Sequence, residues 1–247
     1  VKLAFISDIH GNLPALDAVL EHCEGHQVDK LVQLGDALSG PLWPQETAER
    51  LDALTADHVQ GNHDLALLGA YPRSASDWLA LQWIDEAALR FLQRAGPSLV
   101  LPDGGYAFHA SPLSIDTYFL EQGLGNAASL RAQEDIERLF DDAARKARWM
   151  VCGHSHVSRT VRLECGQLII NAGSVGLQAY CEPSTPPAPP HVHAMGSPHA
   201  RYCIVDSLTL TVSHHAVAYD WNKASDRARA KGRPDWAQWL LTGHAVA

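Results

Sequence analysis

Apolar, β-branched runs of a few residues recur along this chain, and each ends in a small cluster of polar residues or glycine. Leu3-Ala4-Phe5-Ile6 leads into Asp8-Ile9-His10, Leu31-Val32-Gln33-Leu34 into Gly35-Asp36, and His58-Val59 into Gly61-Asn62-His63-Asp64. Tyr106-Ala107-Phe108 leads into His109, and Trp149-Met150-Val151-Cys152 into Gly153-His154-Ser155-His156. Runs of this kind predict buried strands. Asn12 to Leu20 predicts a helix, with Asn12 as cap, Pro14 in the first turn, and Leu13, Leu16, Val19 and Leu20 as an apolar stripe. Pro44 to Leu54 predicts a second. Residues 1–64 therefore spell β-α-β-α-β, the pattern of a mainly parallel sheet covered by helices.

The pattern continues with a helical stretch at 77–95, where Trp78, Leu81, Ile84, Leu89 and Leu92 are available for a packed face. Strands are predicted at about 98–101 and 105–109, then a helix at about 127–145. From 148 onward strands dominate, at 148–152, 158–164, 167–171, 201–206 and 208–217. Gly166 and Asp206-Ser207 fall between successive runs and predict antiparallel hairpins. A C-terminal helical segment at about 219–243 carries Trp221, Trp236, Trp239 and Leu240 as docking side chains. The whole span 1–247 reads as one domain. One stretch breaks the pattern: residues 182–199 hold six of the fourteen prolines and predict a long irregular loop. If that loop folds over the polar clusters, His191, His193 and His199 would contact a substrate.

A hydrophobic fraction of 46% and a charged fraction of 19% exclude wholesale disorder. No apolar run approaches the roughly 18 to 20 residues of a membrane span, and the sequence opens directly on a strand-like segment, which predicts a cytoplasmic protein with no membrane partner. The five cysteines are odd in number, scattered and without a Cys-x-x-Cys pair, so neither a disulfide framework nor a zinc knuckle is expected. A formal charge of −9 with no basic tract argues against stable nucleic-acid binding. An acidic protein can still process phosphate esters when bound cations supply local positive charge.

Fourteen histidines are many for this length. Seven side chains in the clusters can bind a metal: Asp8, His10, Asp36, Asn62, His109, His154 and His156. Two carboxylates, one amide and four imidazoles without a thiolate suit divalent Mn, Fe or Zn, and are too rich in imidazole for Ca or Mg alone. One Asp-x-His pair would ordinarily be a cap and a hydrogen-bonded core histidine. Five such clusters, each following a predicted strand, instead point to one crevice at a sheet edge. Of the remaining histidines, His22 and His26 lie a helical turn apart and could face solvent, and His214 and His215 alternate on a strand; neither pair is read as a second metal site.

Taken in order, Asp8-Ile9-His10-Gly11-Asn12, Gly35-Asp36, Gly61-Asn62-His63-Asp64, His109-Ala110-Ser111-Pro112 and Gly153-His154-Ser155-His156 resemble the motif set of the calcineurin-like metallophosphoesterases. The resemblance spans about residues 2–206, and Asn171 to Gly176 looks like the segment following the last metal motif in its compact prokaryotic phosphodiesterase-like branch. It implies an α/β fold, a four-layer α/β/β/α sandwich of two mixed β-sheets flanked by helices. It also implies two divalent metal ions, Mn foremost, with Fe, Zn or Ni as alternatives. One would take Asp8, His10, Asp36 and His156, and the other Asp36, Asn62, His109 and His154, with Asp36 bridging. Such a pair can hold a bridging hydroxide for in-line attack on a phosphodiester or phosphomonoester. His63, left over after the ligands, would protonate the leaving alkoxide, and Asp64 would hold its imidazole. The expected substrate is a small phosphate ester or nucleotide. Two other readings belong to the same fold, a serine/threonine protein phosphatase and a non-catalytic interaction scaffold; the presence of His63 and all seven ligands argues against the latter.

Overall fold

The computed structural model describes residues 1–122, 129–182 and 191–245. β1 (Lys2–Ile6), α1 (Leu13–Glu24), β2 (Lys30–Gln33), α2 (Pro44–Asp52) and β3 (Ala56–His58) alternate as the apolar pattern predicts. Three short helices follow, α3 (Asn62–Leu67), α4 (Ala75–Ala80) and α5 (Glu86–Gln93), then β4 (Ser98–Leu101) and β5 (Gly105–Phe108). A small ribbon of β6 (Glu121–Gln122) and β7 (Ser129–Leu130) precedes two short helices, α6 (Gln133–Glu137) and α7 (Asp142–Lys146). Next come β8 (Trp149–Cys152), β9 (Arg159–Arg162), β10 (Leu168–Asn171), β11 (Ala179–Glu182) and β12 (His191–Ala194). β13 (Ala200–Asp206), β14 (Val212–Val217), α8 (Trp221–Ala230) and α9 (Pro234–Thr242) complete the order. Among the described residues, no helix is long and apolar enough to cross a membrane.

The strands form two five-stranded mixed sheets, ordered β14-β13-β1-β2-β3 and β4-β5-β8-β10-β9. β1, β2 and β3 are parallel, and β13 and β14 extend that sheet antiparallel. In the second sheet β5, β8 and β10 are parallel between antiparallel edges β4 and β9. Side-chain alternation along each strand decides the layering. Leu3 and Phe5 of β1 face Trp149, Val151, Leu168 and Ile170 in a core between the sheets. Ala4 and Ile6 point the other way, onto Leu16, Val19 and Leu20 of α1. Met150, Cys152 and Ile169 turn outward onto Phe119, Ile136 and Phe140. Both faces of each sheet are thus covered, giving helices, sheet, sheet and helices; each fully buried large apolar side chain contributes about 1.5–3 kcal/mol.

Several elements differ from the sequence expectation. The 77–95 stretch splits because the Asp85 carboxylate accepts from the Ala88 N–H and starts a new helix, α5. Trp78 stays 56% exposed, beneath the Arg73 guanidinium, instead of packing. The predicted helix at 127–145 is broken: Ser129–Leu130 pairs with β6, Asp141 caps α7 anew, and residues 127–128 lie outside those described. β14 begins only at Val212, because Asp206 Oδ1 accepts from the Leu208 and Thr209 N–H groups and holds a turn there. The proline-rich stretch is corrected too. Its prolines concentrate at 183–190, outside the described residues, whereas His191–Ala194 carries none and pairs antiparallel with Ala179–Glu182.

α8 and α9 form the predicted C-terminal helical pair. Trp236, Trp239 and Leu240 bury against Leu42, Leu177 and Tyr180. Trp221 does not join them and sits against His199 and Tyr219.

Candidate metal centre

The loops after β1, β2 and β8 share a backbone signature. Asp8, His10, Asp36, His154 and His156 all have positive φ, between 52° and 64°. Left-handed backbone at a non-glycine residue costs on the order of 1–3 kcal/mol and clusters at functional sites. These five make up most of the eight non-glycine residues in that conformation among the described residues. Glycine is required beside them for room: a Cβ at Gly61 would collide with Asp36 Oδ1, and one at Gly153 with Ser7 and Asp8.

The result is convergence. One atom each from Asp8, His10 and His156 lies within 4.8 Å of the others, and the same holds for Asp36, His109 and His154. Every one of the four imidazoles spends one nitrogen on a backbone carbonyl. His10 Nδ1–H donates to Ser39 O at 3.0 Å, His109 Nδ1–H to Leu34 O at 2.7 Å, and His156 Nδ1–H to Leu177 O at 2.7 Å. His154 uses Nε2–H instead, donating to Asp116 O at 3.0 Å. Such bonds fix ring orientation and leave the other nitrogen as a ligand. His10 Nε2 and His156 Nε2 consequently face each other at 3.4 Å with a lone pair on each. Asp8 Oδ1 lies 3.2 Å from His156 Nε2 and is buried with no hydrogen-bond donor. Two lone pairs and an unsatisfied carboxylate oxygen converging in a buried place form an arrangement that a cation satisfies. Around His109 Nε2 the pattern repeats, with Asn62 Oδ1 at 3.1 Å and Asp36 Oδ2 at 3.3 Å. The seven expected ligands therefore fall into two adjoining groups, and the donor set fits two divalent ions.

Electrostatics point the same way. Burial alone would raise Asp8, but the neighbouring His156 outweighs it and brings the carboxyl down to about 2. Burial, reinforced by His156, lowers His10 to about 4, and burial with His109 lowers His154 to about 4. Burial opposes the charge on His109, yet Asp36 reverses this and lifts it to about 9. The centre therefore keeps Asp8 and Asp36 ionised and His10 and His154 neutral, while His109 holds a proton that a bound ion would displace.

His63 stands beside the ligands. Its backbone N–H donates to Asp36 Oδ1 at 2.9 Å, and its ring lies 5.4 Å from that of His10. The residue that orients it is not Asp64. Asp64 is the third residue of α3, and its carboxylate turns back to accept from the N–H groups of Gly61 at 2.9 Å, Asp36 at 2.8 Å and Ala37 at 3.0 Å. It splints the loop that presents Asp36. Asp77 takes the expected role, accepting from His63 Nδ1–H at 2.8 Å while its other oxygen accepts from Ser74. Burial opposes protonation of His63, but Asp36 and Asp77 together raise it to about 9. Ser74-x-x-Asp77 reads in sequence as a helix cap, which is the one signal that marks Asp77.

A cavity of about 610 Å³ opens over the centre. Arg233 at the N-cap of α9 and Trp236 and Trp239 within it line the cavity, as do Tyr71, Tyr118 and Tyr180, none of which sequence motifs mark as functional. Tyr180 comes from the β11–β12 hairpin, with Cys181 and Glu182. The histidines of that hairpin stand behind the wall: His193 stacks on Tyr180 and lies 5.7 Å from the His156 ring, while His191 Nε2 is 3.2 Å from the Tyr118 hydroxyl. His199 packs on Trp221, apart from the cavity. Asn12 caps α1 and donates to Gly176 O, and Ser111 and Ser155 engage local groups.

A family model for the calcineurin-like phosphoesterase superfamily domain matches residues 1–186. An uncharacterized protein of Methanocaldococcus jannaschii is 28% identical over 249 residues, covering 95% of this chain and 94% of its own length. The crystal structure of a metallophosphoesterase from Sphaerobacter thermophilus shares the fold at a TM-score of 0.74 and 24% identity, with 98% of this chain and 99% of that one covered. A hypothetical protein of Pyrococcus horikoshii superposes at 0.75 with 17% identity and 99% of both chains covered. With two mixed sheets, strand-end loops carrying the motifs in order, and a family model spanning most of its length, the chain belongs to the calcineurin-like phosphoesterase superfamily.

Proposed function

We propose that the protein is a dinuclear, divalent-metal-dependent phosphoesterase that hydrolyses small organic phosphate esters, nucleotides included. The observation that carries this reading is the set of four imidazoles, each tied to a backbone carbonyl through one nitrogen and aimed through the other at buried carboxylates. Two divalent ions held there would supply Lewis acidity and lower the pKa of an attacking water. Asp36 groups with His109 and His154, and its charge also reaches Asp8 and His10, so it is the carboxylate that would serve both ions. His63 delivers a proton to the ester oxygen as it leaves phosphorus, with Asp77 holding the ring through Nδ1–H so that Nε2 faces the reaction. Among the described residues Arg233, ion-paired with Asp235, is the one Lys or Arg lining the cavity, alongside Asp36, Asp116 and Glu182. Binding of a phosphate anion therefore depends on the ions, on His63 and on Arg233.

The cavity of about 610 Å³ falls within the roughly 300–1,000 Å³ of small-molecule sites, which favours a small ester over a phosphoprotein. Chelated protein, supplied in turn with Mn, Fe, Zn, Ni and Mg, tests the reading against phosphomonoesters, phosphodiesters and dinucleoside polyphosphates. At least one ion should restore hydrolysis of one class. Failure of every ion with every substrate would refute it.

A further inference from the structure

A second group of histidines lies at the opposite end of α1. His22 occupies the last turn of that helix, and His26 follows just past its Gly25 cap. Both lie over β14, the edge strand of the first sheet, at His215. Ring centroids are 4.7 Å apart for His22 and His26, 5.1 Å for His22 and His215, and 4.7 Å for His26 and His215. One ring nitrogen from each lies within 4.8 Å of the other two. The sequence separates the three, and only the packing of α1 on β13 and β14 unites them.

Their surroundings are built. Tyr202, fully buried on β13 and paired in register with His215, stacks on the His215 ring at 4.8 Å and 20°. Its hydroxyl lies 2.7 Å from His22 Nδ1, so one phenol orients two of the three rings. His215 Nε2 is buried with no hydrogen-bond partner. His214, by contrast, turns to the other face and bonds Ser158 and Thr160 through both nitrogens, as an ordinary structural histidine does. Burial, followed by the charges on His26 and His22, lowers the pKa of His215. Three close imidazoles, one with an unsatisfied buried nitrogen, offer three ring nitrogens to a cation.

We propose that His22, His26 and His215 form a second metal site, separate from the candidate dinuclear centre, that binds one Zn²⁺ through three imidazoles with water in the fourth position. Imidazole-only sets suit zinc and its late first-row neighbours, and a three-histidine site with one open position is an established zinc geometry. Zn–N bonds of about 2.0–2.1 Å in a tetrahedron require ring nitrogens roughly 3.4 Å apart, a closure of about an ångström that side-chain rotation supplies. His22 would ligate through Nε2 and donate Nδ1–H to the Tyr202 oxygen, a supporting bond that fixes the ring. The ion would tie the C-terminal end of α1 to an edge strand, roughly 18 Å along the helix from the Asp8 loop.

The test is a difference in zinc content, independent of what the dinuclear centre holds. Tag-free full-length protein, stripped with chelator and dialysed against micromolar Zn²⁺ alone, should retain one more zinc than His26→Gln and one more than His215→Gln. It should also gain about 5 to 10 °C in Tm at a hundredfold excess over Kd, an increment missing from both variants. Equal zinc content in all three proteins overturns the proposal. Residue-resolved acylation of histidines by diethylpyrocarbonate reads the same site without any variant. Zinc should protect His22, His26 and His215, and unchanged labelling of these three overturns the proposal whatever happens at His10 or His156.

Discussion

The two histidine clusters of this protein are built by opposite means. At the candidate metal centre the seven side chains come from strand-end loops, five of them in left-handed backbone, and the imidazoles share the space with two buried carboxylates. At the far end of α1 the three rings come from a regular helix, the residue just past its Gly25 cap and a regular strand, with no carboxylate in the group. The strain at the first, at about 1–3 kcal/mol per residue, adds to a sum comparable to the whole net stability of a domain. It is tolerated because the loops aim seven side chains from both sheets at one place. The second cluster carries no such strain in its ligands. Its geometry suits an ion that holds two elements together, whereas the first suits ions that must also meet a substrate.

The largest expected effect lies at the strained end. His63→Ala should lower kcat by about 10²–10⁴ with metal content unchanged, measured by steady-state kinetics and elemental analysis side by side. Unchanged turnover would remove the acid role and with it the distinction between holding and reacting. Asp77→Asn should cost less, about 10–100-fold in kcat with KM little moved, because it acts through the His63 ring. The loss should shrink for esters with acidic leaving groups such as p-nitrophenol, which depart without a proton. A loss equal for all leaving groups would assign Asp77 to structure alone.

The smallest effect concerns a histidine in neither cluster. His58 on β3 has a buried, unpaired Nδ1 and packs edge-on to Phe91. Burial, with help from Arg94, lowers its pKa below 6.5. The unfolded chain then takes up a proton near that value while the folded chain resists it. Stability is full above about pH 6.5 and declines as pH falls further. Urea midpoints for His58→Phe should fall less steeply than wild type between about pH 7 and 5, and parallel slopes would disprove the assignment.

Much of the candidate site was legible in the sequence because metal-ligand residue types and strand alternation both leave marks in short windows. Asp8 and His10, or His154 and His156, announce themselves by residue type and spacing, and the apolar runs before them place them at strand ends. Asp64 misled for the same reason: it adjoins His63 in sequence, yet as the third residue of α3 its carboxylate is drawn back onto the backbone N–H groups of the helix start. Asp77 was hidden because it meets His63 only through the turn between α3 and α4. The His22, His26 and His215 group was hidden further still, since it depends on the register that sets His215 beside Tyr202. The β11–β12 hairpin was masked by its own prolines, whose concentration at 183–190 drowned the alternation of His191 to Ala194.

The wall contributed by α9 bears on how the protein is made. Trp236 sets its ring edge-on to His10, 6.0 Å between centroids, so one of the first ligands translated is sheltered by a residue near the other end of the fold. At about 5–20 residues per second, roughly 10 to 45 s separate the emergence of the two. Throughout that interval Asp8 and His10 lack the cover that α9 supplies. Asp8 and His10 meet His156 only once β8 has been made, and α9 follows later still, so the group and its cover are both completed late in synthesis.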